Sequence, residues 1–268
     1  MHDWTYEPAA DLNEPLIHRL RRFPREPDML QHAVRSVAAL TIRTWLALYH
    51  RFGVEGIEHL PRDRSFVMAA NHASHLDALC MLSAIPLRKL HRAFPAAAAD
   101  YFFESVPRIA LSVLVINALP FDRESHTRES LTVCRELLKE AGNILILFPE
   151  GTRSADGTIG TFKPGIGALL AGTDVPIVPC HLAGTHRALS KGTWLPRPRP
   201  IGLKIGHPLC FSDYATDRDS IRQLCNELRE SVVGLAPDNS RTGEVRSVPA
   251  RNSEAALYAP EPSRLSPA

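Results

Sequence analysis

Residues 65–77 read Ser65-Phe66-Val67-Met68-Ala69-Ala70-Asn71-His72-Ala73-Ser74-His75-Leu76-Asp77. The first part is apolar without interruption, the mark of a strand buried on both faces rather than on one. The polar residues after Ala70 form a turn, and from Ser74 the pattern becomes helical as far as Ala84. A buried strand that feeds a helix through a polar turn is half of a βαβ unit. Working outward, the same alternation recurs. Strands are predicted at 65–70, 90–96, 113–121, 143–148, 176–181 and 202–207, and helices at 74–84, 100–111, 126–141, 165–171 and 217–233. The fold class that follows is α/β, a mostly parallel central sheet flanked by helices.

The ends differ from this middle. Residues 1–32 are polar, charged and proline-broken, and 33–50 form an amphipathic helix. Val34, Val37, Ala38, Thr41, Trp45 and Leu48 gather on one side of it, and Arg35, Arg43 and His50 form a basic edge. Such a helix suits a bilayer interface and equally suits packing on its own domain. From about Pro237 the composition turns to Ser, Pro, Arg, Asn and Glu, which predicts a disordered tail. The expected organisation is an arm and membrane-associating helix at 1–52, an αβ domain at 53–236, and the tail at 237–268.

Composition narrows the function classes. With 31 Lys+Arg against 29 Asp+Glu, the net charge of +2 over 268 residues excludes a strongly basic nucleic-acid binder. The five cysteines contain no CxxC pair, which predicts a reducing compartment and neither a disulfide framework nor a zinc site. No signal peptide is legible at the acidic N-terminus, and no apolar run reaches spanning length. The expected location is cytoplasmic, peripheral on the inner face of the cell membrane. Arg19, Arg21, Arg22, Arg25, Arg35 and Arg43 cluster ahead of the domain, where anionic headgroups would attract them.

The chemistry-bearing residues lie at strand ends. If His72 precedes the helix and Asp77 sits in its first turn, the carboxylate reaches one imidazole nitrogen and leaves the other free to take a proton from a hydroxyl. Asp77 also forms a Ser74-x-x-Asp77 capping pair, so a purely structural task competes with the catalytic one. No GxSxG elbow supplies a protein nucleophile. A second strand runs into Phe148-Pro149-Glu150-Gly151-Thr152-Arg153-Ser154. Arg153 offers paired planar donors for a phosphate, Thr152 a hydroxyl, and Gly151 lets backbone N–H groups approach. Glu150 would orient Arg153 or accept from a substrate hydroxyl. Lys163 opens the next helix, and Phe121-Asp122-Arg123 closes a third strand with a further guanidinium.

Together these residues resemble the glycerolipid acyltransferase family of lysophosphatidate and glycerol-3-phosphate acyltransferases. Four blocks match in order: Asn71-His72-x4-Asp77, Phe121-Asp122-Arg123, Phe148 to Ser154, and Val175-Pro-Ile-Val-Pro179. The resemblance implies an αβ domain that moves an acyl chain from acyl-CoA or acyl-carrier protein to the hydroxyl of a lysolipid, most simply 1-acylglycerol 3-phosphate. His72 would be the general base, Asp77 its orienting carboxylate, and Arg123, Glu150, Gly151, Thr152, Arg153 and Lys163 the acceptor site. The thioester is a co-substrate, and neither cofactor nor metal is implied. Asn117 stands where the family usually has Gly, and Ala98 and Ala99 replace a lysine pair common in lysophosphatidate enzymes. Those departures weigh on the phosphorylated acceptor more than on the His–Asp chemistry. The alternatives are the same chemistry on another lipid acceptor, or a non-catalytic lipid- or acyl-carrier-binding module.

Overall fold

The computed structural model describes residues 29–98, 117, 119–121 and 127–237. The chain divides by contacts into 1–236 and 237–268, and of the second part only Pro237 is described. The expected helix at 100–111, most of the expected strand at 113–121, Arg19, Arg21, Arg22, Arg25 and Arg123 all lie outside the described residues.

The described elements in chain order are α1 (Met29–His50), β1 (Gly53–Glu55), β2 (Phe66–Ala70), α2 (Leu76–Ala84), β3 (Ala93–Ala98) and β4 (Leu119–Phe121). There follow α3 (Thr127–Lys139), β5 (Ile144–Leu147), α4 (Pro164–Leu170), β6 (Ile177–Ala183), the single turn α5 (Thr185–Ala188), β7 (Gly202–Ile205) and α6 (Arg218–Gly234). The strands form a seven-stranded sheet in the order β1-β7-β6-β2-β5-β3-β4. All neighbours are parallel except β6 and β7. The α/β class read from the sequence is therefore the observed one.

The central position of β2 follows from its composition. Every residue of Phe66–Ala70 is buried, and successive side chains enter opposite layers. Phe66, Met68 and Ala70 pack with Leu46 of α1 and Cys80 and Met81 of α2. Val67 and Ala69 pack with Cys134 of α3, Leu169 of α4 and Leu228 of α6. Each fully buried large side chain contributes about 1.5–3 kcal/mol, so the pattern commits this strand to a two-sided environment. Two expectations need adjustment. The edge strand β1, paired with β7, was not among the expected strands; three residues are too few for a legible period. Residues 90–92 belong to a 3-10 turn (Leu87–Arg92), and β3 begins at Ala93.

Helix α1 packs with its basic edge inward. Arg35 is 7% exposed, Leu46 and His50 are fully buried, and Arg43 is partly buried. Arg43 donates to the carbonyl of Ile85 just past the C-terminus of α2, and Arg35 donates to Asn117 Oδ1 at 3.2 Å. Arg35 and Arg43 are thus not available to lipid headgroups, contrary to expectation: one helix-end carbonyl and one amide claim them first. Burial holds the Arg35 guanidinium down to about 10. Val34, Val37, Leu40 and Leu48 point outward.

Candidate active site

Parallel register brings the chemistry together. Ala69 of β2 stands opposite Leu147 of β5, so the segments leaving both strands emerge side by side at their carboxyl ends. Asn71 ties β2 onward to β6: its Nδ2 donates to Leu182 O at 3.0 Å and its Oδ1 accepts from Leu182 N at 2.8 Å. This two-way bond continues the ladder past the end of β2 and fixes where His72 begins.

His72 precedes α2 and Asp77 lies in its first turn. His72 Nδ1 and Asp77 Oδ2 are 2.9 Å apart. The same Oδ2 accepts from Ala73 N at 2.7 Å and Ser74 N at 2.8 Å. One carboxylate oxygen therefore meets both readings, capping the turn and bonding the imidazole. Asp77 is fully buried, and its Oδ1 has no hydrogen-bond partner. Its charge is felt next door: burial first, then Asp77, pushes the Cys80 thiol up. A carboxylate bonded to Nδ1 fixes the donating tautomer there. Nε2 is left without a partner among the described residues, and the imidazole keeps 15% of its surface exposed. The ring of Phe148 stacks on it at 4.3 Å between centroids. His75, the other imidazole of the turn, occupies the N-cap position of α2.

The segment after β5 wraps the His72 backbone from both directions. His72 N donates to Glu150 Oε1 at 2.7 Å, and Ser154 N donates to His72 O at 2.8 Å. Glu150 Oε2 accepts from Gly160 N at 2.9 Å. Glu150 is 7% exposed and both of its oxygens are occupied by backbone, so it pins two loops together; no bond to Arg153 is present. Gly160, ten positions downstream, carried no sequence signal because only the fold brings it to Glu150. Arg229 of α6 holds that same stretch, donating to Gly160 O at 2.8 Å and Ile159 O at 3.0 Å.

Gly151 takes φ +70, the left-handed region that a Cβ disfavours. A Cβ there would stand 2.8 Å from Lys163 Cε and 3.0 Å from Lys163 Nζ, so the lysine lies directly over the glycine. Thr152 is exposed and Arg153 half-buried, and Arg153 has no hydrogen bond or ion pair among the described residues. The fold brings Glu150, Gly151 and Lys163 together beside His72. Beyond them, Asp156 caps its own turn, and bonds from Thr158 and Ser154 hold its carboxyl down to about 2. Among the described residues, no group of His, Cys, Asp and Glu is arranged to hold a metal ion.

Residues 51–183 match the Acyltransferase family. The 1-acyl-sn-glycerol-3-phosphate acyltransferase of Limnanthes alba is 31% identical over 62% of this chain and 57% of its own length. That of Bacillus subtilis is 29% identical over 73% of this chain and 90% of its own. The crystal structure of the 1-acyl-sn-glycerophosphate acyltransferase PlsC from Thermotoga maritima superposes with a TM-score of 0.57, at 27% identity, covering 77% of this chain and 78% of that one.

These matches support a glycerolipid acyltransferase family for the chain. The matches to several plant relatives span only about half of those proteins, 57% and 51% in two cases. Within the family pattern, Val175–Pro179 enters β6, the strand next to β2, as a buried border. Asn117, at the family's glycine position, has φ +56, a conformation Asn tolerates better than other side chains. Its amide donates to Ala93 O at 3.0 Å and His91 O at 3.3 Å while its oxygen accepts from Arg35. Asn117 thus holds a left-handed backbone conformation that glycine adopts freely, and it adds an anchor for α1.

Proposed function

We propose that this chain is an O-acyltransferase that moves a fatty acyl group from a thioester, acyl-CoA or acyl-carrier protein, to the hydroxyl of a lysophospholipid of the 1-acylglycerol 3-phosphate class. The observation that carries the reading is the 2.9 Å contact of His72 Nδ1 with the buried carboxylate of Asp77, which leaves Nε2 unpartnered. Nε2 takes the proton of the acceptor hydroxyl as its oxygen attacks the thioester carbonyl. The carbon–sulfur bond then breaks, and the proton on the imidazolium goes to the departing thiolate. Asp77 stabilises that imidazolium and holds the ring in place.

Glu150 keeps His72 placed by holding its backbone N–H, a positioning task. Lys163, Arg153, Thr152 and the left-handed Gly151 form the acceptor's anion site, with Arg123 as a further cation. The relatives named above are acyltransferases of 1-acylglycerol phosphate, which supports this acceptor class. The outward apolar face of α1 supports attachment to the membrane that supplies the acceptor; the proposed side is the cytoplasmic one. No described helix is long and apolar enough to cross a membrane.

The test is His72→Ala, assayed by transfer of labelled acyl groups from acyl-CoA to 1-acylglycerol 3-phosphate. A general base is worth about 10²–10⁴-fold, so the variant should lose at least a hundred-fold in kcat. Transfer at the original rate would overturn the mechanism and favour a binding module.

A further inference from the structure

The loop between α5 and β7 takes no part in the site described above, yet it is built unlike ordinary surface. Trp194 is 86% exposed and Leu195 64% exposed, adjacent in sequence and covered by no described residue. Lys191, Arg197 and Arg199 flank them, all exposed and without ion pairs among the described residues. From Val175 to Ser212 the chain has no Asp or Glu, and Met29–His50 has none either.

The loop and α1 form one surface. Tyr49 donates to Pro196 O at 3.0 Å, His50 Nδ1 lies 3.0 Å from Arg199 O, and Ile201 N donates to His50 O at 3.0 Å. Beside this seam, α1 exposes Val37, Leu40 and Leu48. The hydroxyls of Thr41 and Thr44 on that face are turned back to the carbonyls of Val37 and Leu40, so they ask nothing of water. Strand register places this surface at the same end of the sheet as His72. Gly53 pairs with Gly202, Gly202 with Ala183, and Leu182 with Asn71.

We propose that residues 190–200 form a membrane-docking loop, in which Trp194 and Leu195 insert into an anionic bilayer interface while Lys191, Arg197 and Arg199 engage its headgroups. A Trp–Leu tip with a cationic collar has the chemistry of an interfacial anchor: the indole favours the headgroup level and each cation gains from the negative surface potential. The absence of acidic side chains across both segments argues for a lipid surface over a second copy of the chain, which would present the same positive charge. The docking loop deepens the lipid-acceptor reading by stating how the site reaches its lipid. It does not depend on turnover, because His72→Ala should bind vesicles as the starting protein does.

The experiment uses the full chain with vesicles of phosphatidylcholine alone or mixed with phosphatidylglycerol. In co-sedimentation, Trp194→Ala/Leu195→Ser should weaken partition to the mixed vesicles about ten-fold or more. Lys191→Gln/Arg197→Gln/Arg199→Gln should weaken it roughly ten- to a hundred-fold and abolish the preference for anionic lipid. The thermal midpoint should not move, since all five side chains are exposed. With Trp4→Phe/Trp45→Phe, Trp194 is the sole tryptophan, and its emission should shift to shorter wavelength on adding mixed vesicles and be quenched by brominated acyl chains. Unchanged partition in both loop variants, or Trp194 emission indifferent to vesicles, would overturn the proposal. So would a loop variant that alters sedimentation velocity without altering partition, because the surface would then serve self-association.

Discussion

Replacing Asp77 by Asn separates its two tasks. In the native turn Oδ2 receives His72 Nδ1, Ala73 N and Ser74 N, and Oδ1 is buried without a partner. The amide oxygen of Asn can take the Oδ2 place and keep all of these donors. Its NH2 then falls where Oδ1 was, a buried donor with nothing to bond, at a cost of about 1–3 kcal/mol. At about 2–4 °C per kcal/mol for a domain of this size, the thermal midpoint drops roughly 4–8 °C for a 2 kcal/mol loss. The chain stays folded at 25 °C, since native domains hold about 5–15 kcal/mol.

The effect on catalysis is larger. An imidazolium whose charge spreads over the ring sits about 4 Å from the carboxylate, worth about 4 kcal/mol at an effective dielectric of 20. His72 keeps 15% of its side chain exposed, so solvent removes part of this. A remaining 2–4 kcal/mol corresponds to a loss of roughly 30- to 900-fold in kcat/KM. The assay is acyl transfer at 25 °C beside a thermal melt. In a His72→Ala background Asp77→Asn should cost no further activity, because the carboxylate acts through the imidazole. A melt lowered as expected with kcat/KM within about three-fold of the original would refute the reasoning and leave Asp77 as a cap alone.

Glu150→Gln turns an NH2 against either His72 N or Gly160 N; the melt should fall by the equivalent of about 2–3 kcal/mol and kcat should fall with it. An unchanged melt would show that the loops do not need the carboxylate. Asn117→Ala should cost about 1–2 kcal/mol more than Asn117→Gly in urea unfolding, because only the former carries a strained Cβ at φ +56; equal losses would contradict this. Burial first, and then the charge of Lys204, pulls the His181 imidazole below its ordinary value. The unfolded chain therefore binds the proton more readily. The contribution of this group is fully present above about pH 6.5 and declines below it, by at most about 1.4 kcal/mol per pH unit. His181→Asn should flatten that part of the stability–pH curve, and an unaltered slope would remove His181 from the account.

Legibility tracked the range of the interactions involved. The run Phe66–Ala70 declares a two-sided strand because burial on both faces leaves no polar alternation. The helices expected at 165–171 and 217–233 from local spacing form at 164–170 and 218–234, with Pro164 in the first turn and Asp217 as the N-cap, as suits such residues. The pairing of His72 with Asp77 was legible for the same reason: five residues and one turn settle it. Glu150 was legible as a polar residue at a strand end but not in its bonding, because its partners His72 N and Gly160 N come from other loops. The helix at the N-terminal end was legible in its sidedness but not in its direction. Amphipathic spacing states that two faces differ, and only the competition between lipid, water and the carbonyl of Ile85 decides which one turns inward.

The order of residues alone thus determined the βαβ alternation, the position of an imidazole ahead of a helix and a carboxylate in its first turn. These are local consequences of side-chain period and backbone spacing. Tertiary structure decided the rest. Parallel register between Ala69 and Leu147 brings the two polar loops edge to edge. A buried glutamate then locks them to the His72 backbone. Such contacts depend on which strands become neighbours, a choice made by packing the whole sheet between its two helical layers and written in no single segment.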